Sequence, residues 1–283
     1  MTPNTWPIIG AKANQAWLKL IGQIYRNGNI ARPRGLEIKE TLCNTTVTDM
    51  RFPIVSVQRR KLGYKFLAAE AWWILCGHND VASIKPYSRH IASFSDDGHY
   101  FSGAYGIRVV DQLRYIVDTL VKDIDSRQAV LTIWRQNPRD SKDIPCTISV
   151  QWLIRNARLY CIDTMRSSDA WLGWPYDIMN FSMLSAYILL LLRERSVFFK
   201  EIELGALYLT AGSSHLYVNA RGDGALNVPY VIEDVEEVLQ HQDETDYTPL
   251  CIDDFENADQ LLEHLELCKD KHGKMDFMQE FQK

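Results

Sequence analysis

Cys146 follows Pro145 at the mouth of an alternating run, Ile148, Val150, Trp152 and Ile154, whose spacing predicts a β-strand. Proline fixes its own backbone and biases the residue before it towards extended geometry, so the thiol is held at a defined spot on a rigid element. A thiolate there would be a nucleophile, although a lone cysteine is most often a small buried apolar side chain. A second stretch strengthens the chemical reading. From Arg166 to Asp177 the chain concentrates an arginine, the hydroxyls of Ser167 and Ser168, and the acids Asp169 and Asp177 around Gly173-Trp174-Pro175. Such polarity at the edge of a core element is costly unless it binds something, and a planar guanidinium beside hydroxyls suits a phosphate. A third candidate is Glu70, followed by six apolar residues and Gly77. It either points to solvent or lines a polar pocket with a shifted pKa.

The elements that must position these groups can be read from periodicity. Residues 14–27 form an amphipathic helix ending at Gly28, and 29–35 a polar loop carrying Arg32 and Arg34. Residues 52–57 are expected as a strand, 61–76 as a helix bearing Glu70, 85–106 as loops and turns, and 109–122 as a helix. Strands are expected at 129–134, 148–154, 159–163, 203–210 and 215–218, with a buried helix at 180–192 and an acidic helical segment from 253 to the end. With no linker, repeat or low-complexity segment, residues 1–283 read as one mixed α/β domain of the α+β type.

Bulk properties narrow the function. A net charge of −5 argues against stable nucleic-acid binding while leaving room for a local cationic pocket. The six cysteines form no metal-ligand spacing or disulfide framework, so reduced thiols and no metal are expected. The longest apolar run, Met183 to Leu192, is too short to span a bilayer, and no signal peptide is evident. A cytoplasmic protein without a membrane partner is the expectation.

Taken together, Pro145-Cys146, Gln151, Arg166-Ser167-Ser168-Asp169, Leu172-Gly173-Trp174-Pro175-Tyr176 and His215-Leu216-Tyr217 resemble the thymidylate synthase family. Glu70 through Gly77 and Gly103-Ala104-Tyr105-Gly106 fit the same pattern, and the motifs run in order from about residue 15 to 220. The resemblance implies that family's fold, a mixed twisted β-sheet flanked by helices and packed back to back in a homodimer. It departs at Pro175-Tyr176-Asp177, where synthases carry Asn. Uracil presents an N3–H donor and an O4 acceptor, whereas cytosine presents an N3 acceptor and an N4 amino donor. A carboxyl group fits cytosine, accepting from N4 with one oxygen and sharing a proton with N3, a transfer an amide does not perform as readily. In this respect the chain is similar to the phage-type deoxycytidylate hydroxymethylase branch.

The resemblance implies a covalent mechanism with dCMP as substrate and 5,10-methylenetetrahydrofolate as cosubstrate. Cys146 attacks C6, Tyr105 and ordered water help remove the C5 proton, and Asp177 assists at N3. Hydration of the exocyclic methylene gives 5-hydroxymethyl-dCMP, with Glu70 ordering the water and shuttling protons. Arg166, Ser167 and Ser168 would hold the phosphate with Arg34, and Arg127 would reach in from the partner of a homodimer. Gln151, His215 and Tyr217 complete the nucleotide site, and Asp169, Leu172 and Gly173, with Glu70, the folate site. Thr147 stands where synthases commonly have His, and Gln128 where many have a second arginine. A dCMP methylase, a CMP hydroxymethylase and a dUMP-using synthase stay open as alternatives, as does a non-catalytic nucleotide- or RNA-binding regulator.

Overall fold

The computed structural model describes residues 10–88, 90–218, 231–241 and 243–270. Its centre is a six-stranded sheet in the order β1-β2-β6-β5-β4-β3. The strands are β1 (Asn29–Ala31), β2 (Ile38–Asp49), β3 (Val130–Thr132), β4 (Thr147–Arg155), β5 (Arg158–Asp169) and β6 (Glu203–Tyr217). Only β5 and β6 pair in parallel, because the long helix α5 (Trp174–Arg195) carries the chain back between them. The remaining helices are α1 (Ala13–Asn27), α2 (Tyr64–Leu75), the short α3 (Val81–Ile84), α4 (Gly106–Lys122), α6 (Val231–Gln240) and α7 (Ala258–Asp270). The result is a mixed sheet flanked by helices, as expected for the thymidylate synthase fold.

α5 is apolar on most sides and buried along most of its length, with Trp174, Ile178, Met179 and Leu189 fully enclosed. It lies against the sheet at β5 and β6 and reaches β4 through a hydrogen bond. There Trp152 Nε1 donates to Ser185 Oγ at 2.9 Å, so even the core tryptophan finds a partner. The turn leading into α5 is fixed from three directions. Trp17 of α1 donates to Ala170 O at 2.7 Å, Arg60 donates to Trp171 O at 2.7 and 3.0 Å, and Trp174 Nε1 donates to Thr46 Oγ1 at 3.0 Å.

Three sequence expectations are corrected. Residues 52–57 are buried but form no strand. Ser56 N donates to Asn14 Oδ1 at 2.7 Å, and the Tyr247 hydroxyl bridges Ile54 N and O at 2.8 and 2.9 Å. Side chains thus satisfy the backbone where a neighbouring strand was expected. The polar loop at 29–35 opens with β1, and the following 38–49 segment is a full strand, β2, paired with β6 from Ile38↔Tyr217 to Asp49↔Ala206. The two strands expected at 203–210 and 215–218 are one element, β6. It stays continuous at Gly212, where an added Cβ would stand 2.9 Å from Arg166 O. The acidic C-terminal segment is helical as α7 and ends at Asp270 among the described residues; residues 271–283 lie outside them.

Candidate active site

The thiol-bearing loop is clamped before it reaches β4. Asp96, in the Ser95–Gly98 turn, accepts from Ser141 Oγ at 2.5 Å and Lys142 N at 2.9 Å. Asp143 Oδ2 accepts from Gly103 N at 2.6 Å. Glycine is required at 103, because a Cβ there would stand 2.6 Å from Asp143 O. Arg166 completes the brace: Nε donates to Pro145 O and a terminal nitrogen to Ile144 O, both at 2.9 Å, while Arg166 N donates to Cys146 O at 2.8 Å. The third guanidinium nitrogen donates to Ser167 Oγ at 3.0 Å, and that hydroxyl lies 3.8 Å from Cys146 Sγ.

Burial pushes the Cys146 thiol above its ordinary pKa, the Arg166 guanidinium offsets part of this, and Asp177 and Asp169 add to it. The neighbouring guanidinium favours the thiolate as expected, but enclosure outweighs it, so the unliganded site keeps the proton on sulfur. Thr147 N donates to the Tyr105 hydroxyl at 3.1 Å, which fixes that phenol next to the thiol. Tyr105 stacks on Phe181 at 6.3 Å, and burial holds it well above the usual phenol range, so its O–H is retained.

Opposite the thiol stands a group of acids. Asp169 Oδ1 accepts from Trp171 N and Leu172 N, both at 2.9 Å, while Gly173 N donates to Asp169 O at 3.0 Å. The turn so formed delivers Asp177 into the first turn of α5. A Cβ on Gly173 would lie 3.4 Å from both the Asp169 backbone oxygen and Asp177 Oδ2, so this glycine lets the Asp177 carboxyl sit close to the Asp169 backbone. A helix N-terminus ordinarily favours an anion. Here burial wins, and with Glu70 and Asp169 nearby it holds the Asp177 carboxyl well above the usual range. Glu70 accepts from Asn180 Nδ2 at 2.8 Å, and burial raises it from 4.5 to about 7, the Asn180 bond lowering it in part. The residue keeps some accessible surface, but protein atoms surround its carboxylate, and this enclosure governs ionisation. Of the two sequence alternatives for Glu70, a carboxylate free in solvent is not what the structure has, since the group is bonded to Asn180 and shifted upward.

The structure therefore brings together Cys146, Tyr105, Arg166, Ser167, Asp169, Leu172, Gly173, Asp177 and Glu70. Tyr217 joins from the end of β6: the Arg34 guanidinium lies beside its phenol, whose pKa burial raises. His215 pairs with Asp169 across the strands and meets Tyr217 edge-on at 5.4 Å. Three residues stand apart. Ser168 is on the opposite side of β5 from Ser167, in register with Ser214. Gln151 Nε2 donates to Arg127 O at 2.7 Å, so it supports the Arg127 turn, and Arg127 itself is exposed beside α4. Sequence reasoning missed Asn180, Arg60 and Asp163. Asn180 follows Asp177 by one helical turn, and Asp163 breaks the apolar series Leu159, Cys161, Met165 on one strand face; both signals were present. Among the described residues, no group of three or more His, Cys, Asp or Glu side chains is placed to hold a metal ion.

A cysteine braced by arginine and serine, with Asp177 and Glu70 nearby and shifted by burial towards their protonated forms, could serve as a nucleophile beside an anion held by the guanidinium. The chain belongs to the thymidylate synthase family, whose model matches residues 15–267. It is similar to the deoxyuridylate hydroxymethyltransferase of Bacillus phage SP01, 29% identical over 271 residues, covering 87% of this chain and 66% of that protein. It is also similar to the deoxyuridylate hydroxymethyltransferase of Pseudomonas phage M6, 35% identical over 133 residues, covering 44% of this chain and 38% of that protein. The chain thus spans just under two thirds of the first relative and a smaller part of the second.

Proposed function

We propose that this protein is a folate-dependent pyrimidine C5 hydroxymethyltransferase that converts dCMP to 5-hydroxymethyl-dCMP through a covalent bond from Cys146 to C6. The observation that carries the reading is Asp177, enclosed with Glu70 and Asp169 opposite the thiol and disposed to keep its proton. A protonated carboxyl both donates and accepts, so it addresses the N3 and N4 edge of cytosine. The Cys146 thiol gives its proton to solvent water as its sulfur bonds to C6; the C5=C6 pair shifts towards C4, and N3 takes the proton from Asp177. The base then carries no net charge in a site already rich in acids, which suits cytosine.

Arg166 and Ser167, with Arg34, would hold the phosphate, and Tyr217 with His215 the sugar. The ring would cover the thiol, and the neutral Tyr105 phenol would hydrogen-bond the water that carries the C5 proton away. Glu70, poised near neutrality, can give or take a proton at working pH and is placed to order the water that adds to the exocyclic methylene. Methylenetetrahydrofolate supplies the one-carbon unit. The donor set fits a pterin: Asp169 commits Oδ1 to backbone donors and has no partner on Oδ2 among the described residues, leaving an acceptor for ring N–H groups beside Leu172 and Gly173. As in the family, Arg127 would serve the site of a second copy in a back-to-back homodimer.

A second reading, with dUMP as substrate, is favoured by the names of the two phage relatives and by the protonation of Asp177. A neutral carboxyl can also accept from uracil N3–H and donate to O4. The test is incubation of dCMP, CMP and dUMP separately with methylenetetrahydrofolate and weighing of the nucleotide product. A gain of CH₂O on dCMP is expected. A gain of CH₂ would make the enzyme a methylase, and turnover of dUMP alone would overturn the cytosine assignment.

A further inference from the structure

Asp163 lies inside the sheet, opposite Val150 on β4 and Leu209 on β6, and has no accessible surface. Among the described residues, neither of its carboxyl oxygens has a hydrogen-bond partner. Its neighbours along the same strand face are apolar Cys161 and Met165, so an aliphatic side chain would fill the position at far lower desolvation cost. The nearest relief comes from the hydroxyl of Thr147, the residue after the nucleophile, which is itself fully buried with Oγ1 unpartnered. Ser182, one turn before Ser185 on α5, is another fully buried hydroxyl without a partner. Asp177 is the charged neighbour that most opposes ionisation of Asp163, which places the two acids in one enclosed region. Facing Asp177 from the other elements are Glu70 of α2, Asp169 of β5, and Tyr105 and Cys146.

The proposed chemistry creates a need at this place. Once Asp177 has given its proton to N3, a carboxylate remains in an enclosed site beside Glu70 and Asp169, and it needs a hydrogen-bond donor. Two neighbouring carboxyls meet that need by holding one proton between them, the deeper one donating to the ionised one. We infer that Asp163 is a positioning residue for the reaction: its carboxyl O–H, directly or through one water held with Thr147, donates to the Asp177 carboxylate formed when N3 is protonated. The proton given to N3 comes from Asp177, and Asp163 keeps its own. The inference rests on the dCMP reading above.

The experiment compares wild type, Asp163→Leu and Asp163→Asn. Removing a hydrogen bond to a charged group is expected to lower kcat on dCMP about 10- to 100-fold in the leucine variant with KM nearly unchanged. The asparagine variant, which keeps a donor of the same shape, is expected to recover most of that rate. The pH profile of kcat supplies a second readout: with no donor left for the Asp177 carboxylate, its basic limb should move to higher pH in the leucine variant and stay near wild type in the asparagine variant. A leucine variant with wild-type kcat, or with an unmoved basic limb, overturns the inference. Should the leucine variant not fold, Asp163→Thr and Asp163→Val make the same comparison through one hydroxyl, and equal kcat for the two overturns it. Absence of hydroxymethylated dCMP with wild type undoes the functional reading and this inference together. A normal wild type with indifferent Asp163 variants undoes this inference alone.

Discussion

Replacing Glu70 by Gln should stabilise the protein while stopping its chemistry, and the two effects can be separated by pH. The substitution preserves shape and leaves Asn180 Nδ2 an acceptor in place of Glu70 Oε2. What it removes is the cost of ionising a buried carboxyl. The pKa of Glu70 rises from 4.5 to about 7 on folding. A group whose folded pKa is raised binds more protons in the native state, so its contribution is intact below about pH 4.5 and is lost as pH climbs through about 7. At about 1.4 kcal/mol per pKa unit, that amounts to roughly 3 kcal/mol as an upper figure above pH 8. The Gln variant lacks this loss. Its melting temperature should match wild type near pH 4.5 and exceed it increasingly up to about pH 8, by roughly 2–4 °C per kcal/mol. Thermal denaturation by circular dichroism across that range is the assay, with turnover measured on the same samples. A melting difference that does not change with pH would refute the reasoning, because it would mean Glu70 ionises as freely folded as unfolded.

Cys146→Ser should lower turnover at least about a thousandfold while dCMP still binds by calorimetry; wild-type-like activity would remove the nucleophile assignment. Asp177→Asn should lower kcat on dCMP by about 10²–10⁴-fold, the range for loss of a general acid, and swing preference towards dUMP. An unchanged dCMP to dUMP ratio in competition assays would mean the base edge is read elsewhere. Asn14→Ala should cost about 1–3 kcal/mol in urea unfolding, because it strips the buried Ser56 amide of its only acceptor among the described residues. A midpoint shift too small to resolve would show that this segment is held by packing alone.

The parts of the fold legible in the sequence were those with one dominant period. α5 announced itself by an apolar run with turn chemistry before it, and β4 by strict alternation after Pro145. β2 was not legible because Thr41, Thr45, Thr46 and Thr48 give it β-branched side chains without an apolar face, and its outer side leaves Leu42 71% exposed. Residues 52–57 failed in the opposite sense: their apolar run is real, but its backbone partners are Asn14 and Tyr247, remote in sequence. In the site, spaced motifs pointed to Cys146, Arg166, Asp169 and Asp177. The ionisation of Cys146 and Asp177 is set by enclosure, which no spacing reveals. Gln151 and Arg127 show the converse limit, since the structure joins Gln151 to the Arg127 backbone rather than to the thiol.

The three hydrogen bonds from Arg166 to Ile144, Pro145 and Ser167 have a kinetic corollary. On the proposed reading, one side chain would serve both as anchor for a substrate's anionic tail and as splint for the segment presenting the sulfur. A nucleoside lacking its 5′ group would therefore forfeit more than affinity, for it would meet an attacking atom whose scaffold had not been tightened. Discrimination against such compounds should show itself in the speed of bond formation at saturation, and a salvage route delivering unphosphorylated bases could not feed this enzyme merely by raising their concentration.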